Sequence, residues 1–188
     1  IATITFTSTG GNVTLAASAS HTVNGSIAMN ASGTLSLGNS STIVSSGNMT
    51  LTASTTFTMG TGVTITDNAR NTDITFNIAN GDNQVWSGLT VNGATEGEFV
   101  VNSAISIQLS SSTVLAANVR FPNLTSFTQD SGTTINANAK GCQNLGADHG
   151  YGPNSSNACA ISTAGYGRGY NTSNKGAGGA AYGGSGGN

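Results

Sequence analysis

The sequence has very few charged residues. Lys, Arg, Asp and Glu make up 6% of its 188 residues, and the formal net charge is −2, whereas about a quarter of the residues of a soluble globular protein are charged. The five Lys and Arg residues are scattered, so no basic patch is present of the kind that binds nucleic acid. Solubility must come from Ser, Thr, Asn and Gly, or from groups attached to them.

Long apolar runs and helical patterns are also missing. No window approaches the roughly eighteen consecutive apolar residues of a membrane-spanning helix, so we expect no membrane insertion. No segment has apolar residues at a spacing of three and four, and the helix formers Glu, Lys and Gln are nearly absent. The sequence therefore predicts an all-β protein.

Apolar-x-apolar triplets recur along residues 12–66 in three interleaved series. Members of each series are about 22 residues apart: Val13/Leu15, Leu35/Leu37 and Phe57/Met59; Ile27/Met29 and Met49/Leu51; Val23, Ile43 and Val63/Ile65. Three series with one period are what a three-faced solenoid needs, because each turn supplies three short strands that stack on their equivalents. This pattern predicts a parallel β-helix, expected to be right-handed, with about 22 residues per turn.

The strand pattern continues less regularly to residue 140. Three further pairs keep the interval, Val85/Ile107, Phe99/Phe121 and Ile105/Phe127. About six turns would fit, giving a rod about 30 Å long. Trp86 and the phenylalanines are expected to stack inside it, since large aromatic side chains in a strand pattern are usually core.

The composition changes at Gly141. Fourteen of the 27 glycines fall in the last 48 residues, and large apolar residues nearly vanish there. We therefore divide the chain into a β-helix, residues 1–140, and an irregular Gly-rich segment, residues 141–188. Flexible linker and packed structure with Tyr as a spacer remain equal alternatives for this segment.

The Gly-rich segment contains both cysteines of the chain. A disulfide between Cys142 and Cys159 would close a polar loop and fits an oxidising, extracellular compartment, with two free thiols as the alternative. A metal site of Cys142, His149 and Cys159 would lack a fourth ligand. We expect the disulfide.

The chain starts at Ile1 directly in strand-like sequence without a polar cap. A solenoid end normally carries such a cap, so this start is typical of an excerpt from a longer repetitive protein. An uncapped β edge is a template for another chain. Ile4 and Phe6 are therefore the predicted assembly edge.

The Gly-rich segment also carries a resemblance. The runs Gly150-Tyr151-Gly152-Pro153 and Gly165-Tyr166-Gly167, followed by GAGGAAYGGSGG at residues 176–187, resemble segments of very large extracellular proteins of microbes and protists. In those surface, adhesin-like and fibre-forming proteins such segments sit beside β-helical repeats, which the first part of this chain also resembles. The resemblance implies a cell-surface or appendage role and supplies no catalytic residues.

Asn-x-Ser/Thr sequons are the strongest modification signal. Eight occur, at Asn12, Asn24, Asn30, Asn39, Asn48, Asn123, Asn154 and Asn171. Asn in solenoid turns also has a purely structural use, because its side chain bonds nearby backbone. If several sequons are occupied, the glycans would hydrate a surface that has almost no charge of its own.

Carboxylates that could carry chemistry concentrate in one stretch. Asp67, Arg70, Asp73 and Asp82, with Glu96 and Glu98, form the best candidate cluster for a polysaccharide-active enzyme. Turn-forming Asp and a surface ion pair explain them more simply. Ca²⁺ binding by Asp67, Asn71 and Asp73 is a weaker hypothesis, because their spacing matches no established loop. We expect neither an enzyme nor a cofactor or metal.

The leading functional hypothesis is a self-assembling structural subunit, or a fragment, of an extracellular filament, fibre or surface appendage. Its partners would be copies of itself and covalent glycans. A glycan-binding adhesin module is the alternative. An ice-binding solenoid is less favoured, because the hydroxyl row through Thr56 and Thr58 degrades to Thr34/Ser36 and Asn12/Thr14 on the preceding turns.

Overall fold

The computed structural model describes residues 2–79, 83–103 and 106–137, and the backbone alone of residues 152–153 and 159–160. All regular elements of these residues are strands. They are β1 (Ala2–Ser8), β2 (Val13–Leu15), β3 (Ser20–Val23), β4 (Gly25–Ala31), β5 (Thr34–Leu37), β6 (Thr42–Ser45), β7 (Met49–Ala53), β8 (Thr56–Met59), β9 (Thr64–Asp67), β10 (Ile74–Ile78), β11 (Gln84–Ser87), β12 (Thr90–Asn92), β13 (Glu98–Asn102), β14 (Ser106–Ser110), β15 (Thr113–Leu115), β16 (Asn118–Arg120), β17 (Ser126–Gln129), β18 (Thr134–Asn136), β19 (Gly152–Pro153) and β20 (Cys159–Ala160).

Strands β1 to β18 wind into a solenoid of about six turns, and each turn, or rung, gives one strand to each of three faces. The first face is the sheet β1-β4-β7-β10-β13-β16, and the third face is β3-β6-β9-β12-β15-β18. The second face consists of two sheets, β2-β5-β8 and β11-β14-β17. Neighbouring strands on all three faces are parallel. The predicted all-β parallel solenoid is confirmed.

The registers of the first three rungs follow the repeat in the sequence. Val13 lies beside Leu35, which lies beside Phe57, and Ile27 lies beside Met49. The third series needs one correction. The neighbours of Ile43 are His21 and Ile65, so His21 rather than Val23 occupies that column. His21 packs its ring edge-on against Phe6, with the ring centroids 5.7 Å apart.

The registers predicted for the later rungs are wrong. Gln84, not Val85, lies beside Ile107, and Val85 points outward with 62% of its surface exposed. Phe99 lies beside Val119 rather than Phe121. The reason is that rung length varies: 25 residues separate Ile74 from its neighbours Met49 and Phe99, whereas 20 separate Phe99 from Val119.

Inward-facing side chains form columns that run along the rod. In most strands buried and partly exposed residues alternate, as in β4, β7 and β10, because successive side chains of a strand point to opposite sides. The prediction that the large aromatics stack inside is confirmed for Phe57, Phe76, Trp86 and Phe99, which are at most 2% exposed. The Phe76 ring centroid lies 5.4 to 5.6 Å from those of the other three, and Trp86 Nε1 donates to Gln84 Oε1 at 3.1 Å.

The corner between the second and third faces has a left-handed residue in five rungs. Ser18, Ser40, Gly62, Gly88 and Ser111 have φ between 46° and 73°. Only Gly adopts this region without a steric cost, of roughly 1–2 kcal/mol for other residues. The same chain reversal is thus repeated at one edge of the rod, and in three rungs a serine adopts the strained left-handed conformation there.

Successive rungs approach closely just before this corner. A Cβ at Gly60 would lie 2.5 Å from the Asn39 backbone nitrogen and 2.6 Å from the Gly38 carbonyl carbon, whereas a Cβ at Gly10 would meet nothing within 4 Å.

We expect Gly60→Ala to lower the free energy of unfolding by about 1–3 kcal/mol or more, because the rungs must separate. Gly10→Ala, the control, should be neutral within about 0.5 kcal/mol. Urea unfolding measures both, and equal losses would contradict the close approach.

Candidate functional site

The candidate carboxylates lie at the corner between the third and first faces. Asp67 ends β9 and is 2% exposed. Its Oδ1 accepts a hydrogen bond from the Ala69 amide at 3.0 Å, and its Oδ2 accepts one from Thr72 Oγ1 at 2.7 Å. A short polar side chain that bonds the backbone two residues ahead is typical of a turn. Asp67 therefore shapes the corner.

The other carboxylates connect one rung to the next. Asp73 Oδ1 accepts from the Glu98 amide at 2.8 Å. The Glu98 carboxylate accepts hydrogen bonds from Arg120 at 3.1 Å and from Asn118 Nδ2 at 2.7 Å. Arg70 forms an ion pair with Glu96. Asp82 lies outside the described residues.

These contacts favour the structural interpretation of the cluster over the catalytic one. Asn71, the third residue of the Ca²⁺ hypothesis, has a φ of 55° and accordingly belongs to the turn. Across the described part of the chain, no group of three or more His, Cys, Asp or Glu side chains is placed to hold a metal ion.

Several predicted site residues fall outside the described residues. They are the side chains of the cysteine pair Cys142 and Cys159, His149, the sequons at Asn154 and Asn171, and all four tyrosines. The predicted disulfide and the packing of the Gly-rich segment therefore stay predictions.

The remaining sequons lie on the first face and in turns. Asn30 is half-buried within β4, whereas Asn12, Asn24, Asn39, Asn48 and Asn123 are exposed. Three of these side chains accept an amide hydrogen bond from the next rung: Asn12 from Thr34 at 2.9 Å, Asn39 from Thr61 at 2.9 Å and Asn48 from Asp73 at 3.0 Å. Because these bonds use Oδ1 and an N-glycan is attached through Nδ2, the bonds and a glycan are compatible.

The predicted assembly edge lies at one end of the solenoid. β1 pairs with β4 and is the terminal strand of its sheet among the described strands. Ile4 continues the interior column of Ile27 and Met49, yet it is 40% exposed. Phe6, in the column of Met29, packs against the core. Ile4 is therefore the more accessible of the two apolar groups.

A column of hydroxyl groups runs along the whole third face. It consists of Ser20, Thr42, Thr64, Thr90, Thr113 and Thr134, which lie side by side in register. We call it the hydroxyl column. Sequence reasoning missed it, because its spacing changes from 22 to 26, 23 and 21 residues along the chain. The row tested on the second face does degrade as predicted, with Thr58 beside Ser36.

Asp130 is a carboxylate between two rungs that sequence reasoning also missed. It follows β17, at the corner where Ser111 of the preceding rung is left-handed. Hydrogen bonds from the Ser110 hydroxyl at 2.7 Å, the Ser111 amide at 3.0 Å and the Thr133 hydroxyl at 2.9 Å reach its carboxylate. These bonds, the Ser110 bond foremost, lower the pKa of Asp130 from 3.8 to about 2. The ionised carboxylate thus ties the last two rungs together.

No protein-family model, curated protein or solved structure matches the chain. Among the described residues, no helix is long and apolar enough to span a membrane. The function is therefore inferred from the geometry of the solenoid, and the resemblance to extracellular repeat proteins stays an expectation.

The lowered pKa of Asp130 predicts a pH dependence of stability. The folded-state pKa lies below the unfolded value, so the folded protein binds fewer protons between about pH 4 and pH 2. The stabilisation is present above about pH 4 and is lost as the pH falls toward 2. We expect the wild-type protein to be more stable than Asp130→Asn at about pH 5 and this difference to shrink by about pH 2.

Urea unfolding of both proteins across this pH range measures the difference. Because the two proteins differ at residue 130 alone, the change in the difference reports on Asp130. A difference that stays constant with pH would show that the carboxylate is not held in its ionised form.

Proposed function

We propose that this chain is a structural subunit, or part of one, of an extracellular filament, fibre or surface appendage in which solenoids stack end to end. The observation that carries the proposal is that the interior columns reach the surface at both ends of the described solenoid. Ile4 is 40% exposed at one end, and Phe127 and Ile135 are 36% and 37% exposed at the other.

The backbone of the terminal strands supports the same arrangement. β1 pairs on one side with β4, and β16, β17 and β18 each pair on one side with the preceding rung, as far as the structure describes the chain. Such strand edges present backbone donors and acceptors to another chain. Because all three faces are parallel, head-to-tail stacking would extend each of them in the same direction. A contact of this kind is heterologous, and repeating it gives an open filament.

The composition of the outer surface supports an extracellular setting. Few charged groups are available to hydrate the rod. The exposed sequon asparagines lie in turns between β1 and β7 and between β16 and β17. Glycans there would hydrate the sides of a rod that has few charged groups of its own.

A charge at the assembly edge should block stacking. In Ile4→Lys the ammonium group would be buried in an apolar contact, which costs several kcal/mol, and about 3 kcal/mol corresponds to a more than hundredfold weaker association. Thr5→Lys is the matched control, since exposed Thr5 belongs to the outward column of Ala28 and Thr50. Ile4→Lys is preferred to Phe6→Lys, because Phe6 also packs against its own core.

Electron microscopy and sedimentation of the wild-type protein and both variants provide the measurement. The wild type and Thr5→Lys should form filaments, and Ile4→Lys should remain as folded single subunits, as judged by circular dichroism. Filaments of Ile4→Lys would contradict end-to-end stacking. Dispersed wild-type particles that bind a carbohydrate array would favour the adhesin alternative.

A further inference from the structure

The outward side of the third face differs from the other two faces. Its strands direct two rows outward: the hydroxyl column, and a parallel row of Thr22, Val44, Thr66, Asn92, Leu115 and Asn136. Neither row contains an ionisable side chain or a sequon asparagine. The two ionisable residues of these strands belong to inward columns, with Asp67 buried and His21 partly buried against Phe6.

The first and second faces lack this uniformity. The first face directs Asp73, Glu98 and Arg120 toward its outer surface and carries the sequon at Asn30. The second face is interrupted, because β8 and β11 belong to different sheets. In the described structure the third face is the one that is continuous through six strands, free of ionisable outward groups and free of sequons.

The regular spacing of the hydroxyl column would fit a partner surface with the same repeat. Neighbouring strands place equivalent side chains about 4.7–4.9 Å apart, and Thr is stiff because it is branched at Cβ. The same face of a second copy has a matching repeat by construction. Such a copy can interdigitate its own Thr side chains in the way that identical sheets pack dry against each other. Val44 and Leu115, which also point outward, would add apolar contact.

We propose that two rods associate side by side through their third faces, related by a two-fold axis parallel to the rods. This inference rests on the proposed end-to-end assembly, because one copy offers too little area. Six strands of about four residues span roughly 29 by 13 Å, or about 380 Å², whereas a stable contact buries about 800 Å² on each partner. Stacks of two or more copies reach that area, so lateral pairing follows stacking.

A lysine in the middle of the third face should separate the paired rods. Thr90 is exposed in β12, and Thr90→Lys would place like charges opposite each other at every repeat. Thr58→Lys is the matched control, because Thr58 is an exposed strand threonine on the second face. Electron microscopy should show wild-type and Thr58→Lys filaments two rods wide and Thr90→Lys filaments one rod wide, with the same axial repeat. Equal urea midpoints would verify that the subunits fold alike.

The outcomes separate this inference from the proposed function. Wild-type filaments one rod wide, or Thr90→Lys filaments still two rods wide, would overturn lateral pairing and leave stacking intact. No wild-type filaments at all would overturn both. Inhibition of ice growth by single wild-type rods, abolished by Thr90→Lys and retained by Thr58→Lys, would assign the face to ordered water and overturn lateral pairing.

Discussion

The backbone hydrogen bond between successive rungs is the interaction on which the rest of the structure depends. It fixes the rung spacing, and the spacing brings like side chains into columns. At the corners, backbone hydrogen bonds between rungs continue, as from the Ser40 amide to the Thr61 carbonyl. Polar side chains supply further ones there: Asn12, Asn39, Asn48, Asp73 and Asp130 each accept an amide hydrogen bond from a neighbouring rung. An amide without a partner at such a site would be costly wherever water is excluded. Asn and Asp side chains therefore help to continue the hydrogen bonding between rungs at the corners.

The sequence predicted the architecture correctly and, apart from the placement of Val23, also the registers of the first three rungs. Val13, Leu35 and Phe57 could be aligned because the first rungs are equally long, so that counting residues is equivalent to counting rungs. Beyond Asp67 the corner lengths change: the connections from β9 to β10, from β10 to β11 and from β12 to β13 gain residues, whereas the connection from β15 to β16 is short. A count along the chain cannot assign those extra residues to a corner rather than to a strand, and Val85 was consequently placed inside although it points outward.

The same limitation governs the candidate sites. Ile4 could be placed in the terminal strand of its sheet because the first strand in the sequence needs no register with a preceding one. Recognising the hydroxyl column requires the registers of all five strand pairs of the third face, and its members look like ordinary strand serine and threonine residues. Asp130 could not be recognised either, since its hydrogen bonds come from Ser110 and Ser111 in another rung. Interactions across rungs are local in space but distant in sequence.

Polar groups are distributed unequally over the surfaces of the rod. Ion pairs and most of the exposed sequons occupy the first face and the turns, whereas the outward side of the third face has no ionisable side chain. The residues expected to hydrate the rod therefore differ from those of the proposed lateral contact. Substitutions that alter one of these properties need not alter the other.

The unequal rung lengths have a consequence for how such a chain can diversify. The longer rungs contain Phe57, Phe76 and Trp86, and the flanking rungs keep their own registers. An insertion at a corner is therefore accommodated within one rung, which becomes longer than its neighbours. Duplication of a rung lengthens the rod by one strand spacing, about 4.8 Å, and leaves every column in place. The number of residues in a rung and the number of rungs can thus vary independently in a solenoid of this kind.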